Sequence, residues 1–126
     1  LIAKPEIANQ IRKNVVAMSN VLAVEAAKEA LQDETFYKFS LEKNKEAKQR
    51  IYSLLDHLKL DYVTSHTSFI FFHSKRDIRK LGPEMMKKGV RIGRPFPPFY
   101  DWCRISTGTV EEVDLFIKGM LEVYES

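Results

Sequence analysis

Large apolar residues recur along this chain at two spacings, and the change near Leu60 separates a helical part from a mixed part. Pro5 opens a short first helix, where its missing N–H costs nothing, and Ile7, Ala8 and Ile11 fall on one face. Ser19 is placed to cap a second helix that runs to about Leu31 and carries Val21, Leu22 and Val24. Asp33 is placed to cap a third, in which Tyr37, Leu41, Ala47, Ile51, Leu54, Leu55 and Leu58 recur at helical spacing as far as Lys59. At roughly 26 residues this helix would be about 39 Å long, which is long for a small domain.

Beyond Leu60 the pattern shortens. Asp61-Tyr62-Val63-Thr64 predicts a short strand and Ser68-Phe69-Ile70-Phe71-Phe72-His73 a stronger one. Its four consecutive large apolar residues predict a strand covered on both faces. Asp77 caps a helix through Ile78, Leu81 and Met85, which Gly82-Pro83 is expected to break or kink and Gly89 to end. Val90 to Arg94 is expected as a third strand, Pro95-Phe96-Pro97-Pro98 as a stiff loop, and Asp101 to Thr107 as a fourth strand. Thr109-Val110-Glu111-Glu112 is a capping box for a last helix with an apolar stripe from Val110 and Val113 through Phe116, Ile117, Met120 and Leu121 to Tyr124. Helices first, then strands mixed with helices, make an α+β domain with a small, mostly antiparallel sheet covered by helices on at least one face.

Composition narrows the class. The 126 residues suit one domain, and eight Phe, five Tyr and one Trp argue against disorder. No apolar run reaches the roughly 20 residues that span a bilayer. The single cysteine, Cys103, cannot form an internal disulfide, and the first residues do not read as a secretion signal, so a cytoplasmic location is expected. The missing initiator Met points to a chain cut from something longer. The net charge of +3 is too small to imply nucleic-acid binding, but it is unevenly spread. Lys75 to Arg104 holds nine basic residues against three acids, a net +6, which leaves −3 for the remainder. A small anion is the first partner this implies.

On the last strand, alternation puts Trp102, Arg104 and Ser106 on one face and Cys103, Ile105 and Thr107 on the other. A guanidinium on a rigid strand suits bidentate capture of a planar carboxylate. Spacing alone also allows, and on balance favours, a strand arginine that pairs with a neighbouring acid or reaches solvent. Arg91 and Arg94 fit a solvated basic strand edge as well as an anion site. His57, His66 and His73 lack acids or a second cysteine at ligand spacing, so no metal site is expected. Cys103 reads as a small buried residue, and no phosphate-binding Gly-rich loop is present. No catalytic residue is assigned in this segment.

Gly89-Val90-Arg91-Ile92-Gly93-Arg94-Pro95-Phe96-Pro97-Pro98, followed by Trp102-Cys103-Arg104-Ile105-Ser106-Thr107-Gly108-Thr109-Val110-Glu111-Glu112, resembles the C-terminal end of class I/II pyridoxal-phosphate aminotransferases. The histidinol-phosphate aminotransferase group is the most similar. Ala3-Lys4-Pro5-Glu6-Ile7 is similar to the "A-x-P-E-I" that follows the cofactor lysine segment there. Thr67-Ser68-Phe69 stands where the family often has "T-N-F", with Ser68 in place of the usual Asn. The resemblance runs from Ala3 to about Tyr124.

The resemblance implies the small domain of such an enzyme, with residues 1–126 as the C-terminal part of a longer chain and residues 1–32 as the end of its large domain. It implies that Arg104 forms a salt bridge to the substrate's α-carboxylate. It assigns a phosphate-holding arginine near Arg94, although Gly93 occupies the usual place and Arg94 follows one residue later. The lysine that binds pyridoxal phosphate is implied upstream of Leu1, so this chain would not hold the cofactor covalently and would be inactive alone. The parent would act on an amino acid or histidinol phosphate in amino-acid biosynthesis, as a homodimer, with no nucleic-acid or membrane partner. Surfaces that meet the large domain would be left exposed and could drive self-association. A phosphoamino-acid decarboxylase of the same fold, or a free-standing α+β module binding an acidic ligand or partner, remain alternatives.

Overall fold

The computed structural model describes residues 4–15 and 20–125 and divides the chain into two compact units, Leu1–Tyr37 and Lys38–Ser126. In the first unit, α1 (Pro5–Arg12) has proline in its first turn, and α2 (Val21–Gln32) follows. The cap of α2 is Asn20, whose side chain accepts from the Ala23 N–H at 3.2 Å; the expected cap, Ser19, lies outside the described residues. No residue of α1 or α2 is buried, so the apolar positions Ile7, Ile11, Val21, Leu22 and Val24 are exposed.

The long helix is α3 (Glu34–His57), with 24 residues. Asp33 begins it as expected, its Oδ1 accepting from the Phe36 N–H at 2.8 Å. Its stripe buries only from Ala47 onward, with Ile51, Leu54 and Leu55; Tyr37 and Leu41 stay exposed.

In the second unit three strands form one antiparallel sheet in the order β1 (Tyr62–Val63), β2 (Phe69–His73), β3 (Trp102–Ser106). Residues facing each other across β2 and β3 include Phe71 with Arg104 and Phe72 with Cys103. Ile70, Phe72, Cys103 and Ile105 point into the core, where they meet Ile51 and Leu55 of α3 and the buried residues of two later helices. The other face carries Phe69, Phe71, Trp102 and Arg104, none of which is buried. The expectation of a β2 covered on both faces is therefore corrected. Helices cover one side only, and a strand between such a layer and a loop buries alternate residues despite its continuous apolar run.

The first of those helices, α4 (Ile78–Lys87), starts at Asp77, which accepts from the Arg79 N–H at 2.9 Å. Of the break or kink expected at Gly82-Pro83, the break does not occur: the helix runs on through both residues. Ile78, Leu81 and Met85 bury along one side, and that packing holds the helix across the donor that proline lacks. At its end the Gly89 N–H donates to the Met86 carbonyl at 3.0 Å and the Val90 N–H to the Met85 carbonyl at 3.0 Å. With Gly89 at φ +80°, this is a Schellman ending. Val90 is thereby committed to the helix stop, and Pro95 has no N–H for a ladder. Residues 90–94 therefore form no strand, contrary to expectation, and touch β3 through the Gly93 N–H, which donates to the Arg104 carbonyl at 2.9 Å.

The last helix, α5 (Val110–Tyr124), has the expected capping box between Thr109 and Glu112 and buries Val113, Phe116 and Met120. Ser74 is the buried polar side chain among the described residues. Its hydroxyl donates to the Asp101 carbonyl at 2.7 Å and its carbonyl accepts from the Tyr124 hydroxyl at 2.6 Å, tying β2, the residue before β3, and α5 together.

Candidate anion site

The face of the sheet opposite the helices is where the predicted binding residue projects. β3 is paired along its length with β2, so the backbone at Arg104 is fixed, and the side chain emerges half-buried on the same side as Phe71. Its guanidinium carbon lies 5.6 Å from the centre of the Phe69 ring and 5.0 Å from that of Phe96. Phe69, Phe71, Phe96, Pro97, Phe99 and Arg104 line an open cavity of about 400 Å³.

Phe96 reaches this site from the loop between α4 and β3. That loop closes on itself through the Phe99 N–H, which donates to the Phe96 carbonyl at 2.7 Å, and it contains a cis bond between Pro97 and Pro98. The Phe96 ring meets Phe71 edge-on at 6.2 Å, and Phe71 stacks on Trp102 at 5.0 Å. Arg94, exposed at the start of the loop, places its guanidinium carbon 4.7 Å from the same Phe96 ring. The structure thus brings the two predicted site residues, Arg94 and Arg104, to one aromatic side chain.

Charge sets these arginines apart. Arg50 pairs with Asp114 at 2.9 Å, Arg76 with Glu84 at 2.7 Å and Arg79 with Asp77 at 2.6 Å. Among the described residues no carboxylate pairs with Arg91, Arg94 or Arg104. A guanidinium with aromatic neighbours and no internal counter-ion keeps its donors for an external anion. Arg91 lines a cleft beside α5 and shares a second cleft, beside α4, with Arg94, which reaches the rim of the aromatic cavity through Phe96 rather than lining it.

Three other sequence candidates are located. Cys103 is fully buried, and burial pushes its thiol up to about 12, so it is the inert small residue expected. His73 pairs with Asp101 at 2.8 Å and His57 with Glu125 at 2.8 Å, far apart in sequence and on different elements. The aromatic cavity has no lysine amine and no carboxylate in its lining. Its donor set fits a small anion and does not fit pyridoxal phosphate, which needs an amine for its aldehyde and an acid for its ring nitrogen.

Sequence reasoning missed Phe69, Phe71, Phe96 and Phe99 as site residues, assigning the first two to the core and Phe96 to a stiff loop. The available signal was the alternation of Phe71 with the core residues Ile70 and Phe72, which puts it on the Arg104 side once the strands are paired.

No family model matches the chain. The histidinol-phosphate aminotransferase of Moorella thermoacetica is 37% identical over 130 residues, covering 97% of this chain and 32% of that protein. That of Bacillus licheniformis is 39% identical over 110 residues, covering 82% of this chain and 30% of that protein. Among solved structures, a candidate histidinol-phosphate aminotransferase from Erwinia carotovora atroseptica superimposes with a TM-score of 0.91 at 31% identity, covering 98% of this chain and 36% of that one. The Sinorhizobium meliloti histidinol-phosphate aminotransferase in complex with pyridoxal 5′-phosphate gives a TM-score of 0.68 at 27% identity, covering 76% of this chain and 28% of that one. The chain therefore spans about a third of the length of the relatives it matches.

Proposed function

This chain is related to a part of the histidinol-phosphate aminotransferases, and on that premise we propose that it is the substrate-anion-binding part of a pyridoxal-phosphate-dependent aminotransferase. In an amino-acid substrate Arg104 receives the α-carboxylate, with Arg94 free for a second anionic group; in histidinol phosphate, which has no carboxylate, the phosphate is the anion that the two arginines receive. The observation that carries this reading is the state of Arg104: rooted in a paired strand, half-buried, flanked by Phe69 and Phe96, and without a carboxylate partner among the described residues.

The chemistry follows from that geometry. A planar guanidinium fork holds a carboxylate by two parallel hydrogen bonds, which fixes the orientation of the ligand as well as its position. The aromatic walls shield part of the guanidinium from water and raise the worth of the ion pair above that of a fully exposed one. The complete enzyme would move an amino group from an amino acid or histidinol phosphate to a 2-oxo acid. The groups that hold its cofactor belong to the rest of that enzyme, and this chain binds and orients the substrate; alone it is inactive.

The test is Arg104→Lys in the full-length enzyme that carries this segment. Losing the bidentate contact costs about 2–5 kcal/mol of binding, seen as a raised KM for amino acids, while the cofactor's absorbance stays unchanged. An unaltered KM rejects the assignment.

A further inference from the structure

The two arginines of the anion site stand on different elements, Arg104 on β3 and Arg94 in the segment after α4. Neither guanidinium makes a hydrogen bond or ion pair among the described residues. Two like charges with no shared counter-ion repel, and two long side chains without partners would sample many rotamers. What they have in common is Phe96, whose ring centre is 4.7 Å from one guanidinium carbon and 5.0 Å from the other. The electron-rich faces of the ring attract both cations, so both charges lie within about 10 Å of each other before any ligand arrives.

The ring is itself held. Its backbone is closed by the Phe99 N–H, and its edge rests on Phe71, which is braced in turn by Trp102. The position of the Arg94 segment is set separately, by the hydrogen bond from Gly93 to the Arg104 carbonyl. A ligand with one negative charge gives one guanidinium its counter-ion and leaves the other without one. A short ligand with two such charges satisfies both.

We infer that Phe96 is a positioning residue: its ring gathers Arg94 and Arg104 into one cationic pair, and this selects ligands with two negative charges, on two carboxylates or on one phosphate, over ligands with a single one. The inference rests on the proposed role of Arg104 as carboxylate ligand and adds a determinant that touches neither the reacting atoms nor a cofactor.

The experiment titrates the chain at low ionic strength with glutarate, which has two carboxylates, and with propionate, which has one. Binding is followed by calorimetry and by the emission of Trp102, the single tryptophan, which stacks against Phe71. The chain should prefer glutarate by about tenfold or more. Phe96→Leu should bring the two affinities together, and Phe96→Tyr, which keeps the ring face, should restore the preference. If Arg104→Gln leaves both affinities unchanged, the carboxylate assignment fails. If Arg104→Gln abolishes binding but Phe96→Leu keeps the preference for glutarate, the carboxylate assignment stands and the role of Phe96 fails. A readout independent of ligand and of the leucine variant's folding is the ring-current shift of the Arg94 and Arg104 Nε–H resonances. Both should be shifted in the unsubstituted chain and in Phe96→Tyr, and resonances at random-coil positions in the unsubstituted chain would overturn the inference.

Discussion

The backbone N–H of Gly93 donates to the carbonyl of Arg104 at 2.9 Å, and a Cβ at position 93 would lie 2.5 Å from that same oxygen. Glycine here serves close approach rather than a special backbone angle. The contact joins the segment that bears Arg94 to the strand that bears Arg104.

Gly93→Ala should therefore push the segment off β3. The oxygen it would strike belongs to a paired strand and has little freedom to move, so the cost is expected at about 1–3 kcal/mol. Urea unfolding should show a lower midpoint with an unchanged slope. A loss under about 0.5 kcal/mol would mean that the segment can shift freely.

Tyr124 and Cys103 should make the fold sensitive to alkali. Burial pushes the Tyr124 hydroxyl up to about 12 from 10.0 and the Cys103 thiol up to about 12 from 9.0. Folded-state values above the unfolded ones mean that the native state keeps its protons longer. The stability they confer is complete below about 9, for the thiol, and about 10, for the phenol, and is lost as pH rises towards about 12. Tyr124 should ionise together with the loss of the fold. In the native chain Cys103 should resist thiol reagents until unfolding exposes it. Fast modification under native conditions at neutral pH would contradict the burial.

Asp77 should act at the opposite end of the scale. The Arg79 guanidinium, and then the Arg79 N–H, hold its carboxyl at about 2 against an ordinary 3.8. Here the folded value is the lower one, so the contribution is present above 3.8 and disappears as pH falls through about 2. Asp77→Asn keeps a capping acceptor and removes the charge. The difference in Tm between Asp77→Asn and the unsubstituted chain should be steady near neutrality and shrink between about pH 4 and pH 2. A difference that persists undiminished in acid would show that the charge plays no part.

Much of this architecture was legible before any coordinates. Asp33, Asp77 and Thr109 cap the helices predicted for them, and the stripe of α5 buries where its period says. The alternation Trp102-Cys103-Arg104-Ile105 sorts into an open and a buried side as expected. These features depend on neighbours three or four residues apart in a helix and two apart in a strand, so a linear pattern contains them.

Other features depend on what a segment meets. Val90 to Arg94 has the composition of a strand, yet the helix stop takes Val90 and Pro95 offers no donor, leaving one bond to β3. The Phe69–Phe72 run looks uniformly buried, but only Ile70 and Phe72 find helices, and Phe71 finds Phe96. Pro83 fails to interrupt α4 because Leu81 and Met85 are already anchored in the core. The sequence by itself determined the helices, the two-sided β3 and Arg104 as a residue on its open side, since each follows from local periodicity. The convergence of Arg94 and Arg104 on one phenylalanine was decided by tertiary structure alone, because it requires a loop to fold back across a strand and no spacing along the chain encodes that meeting.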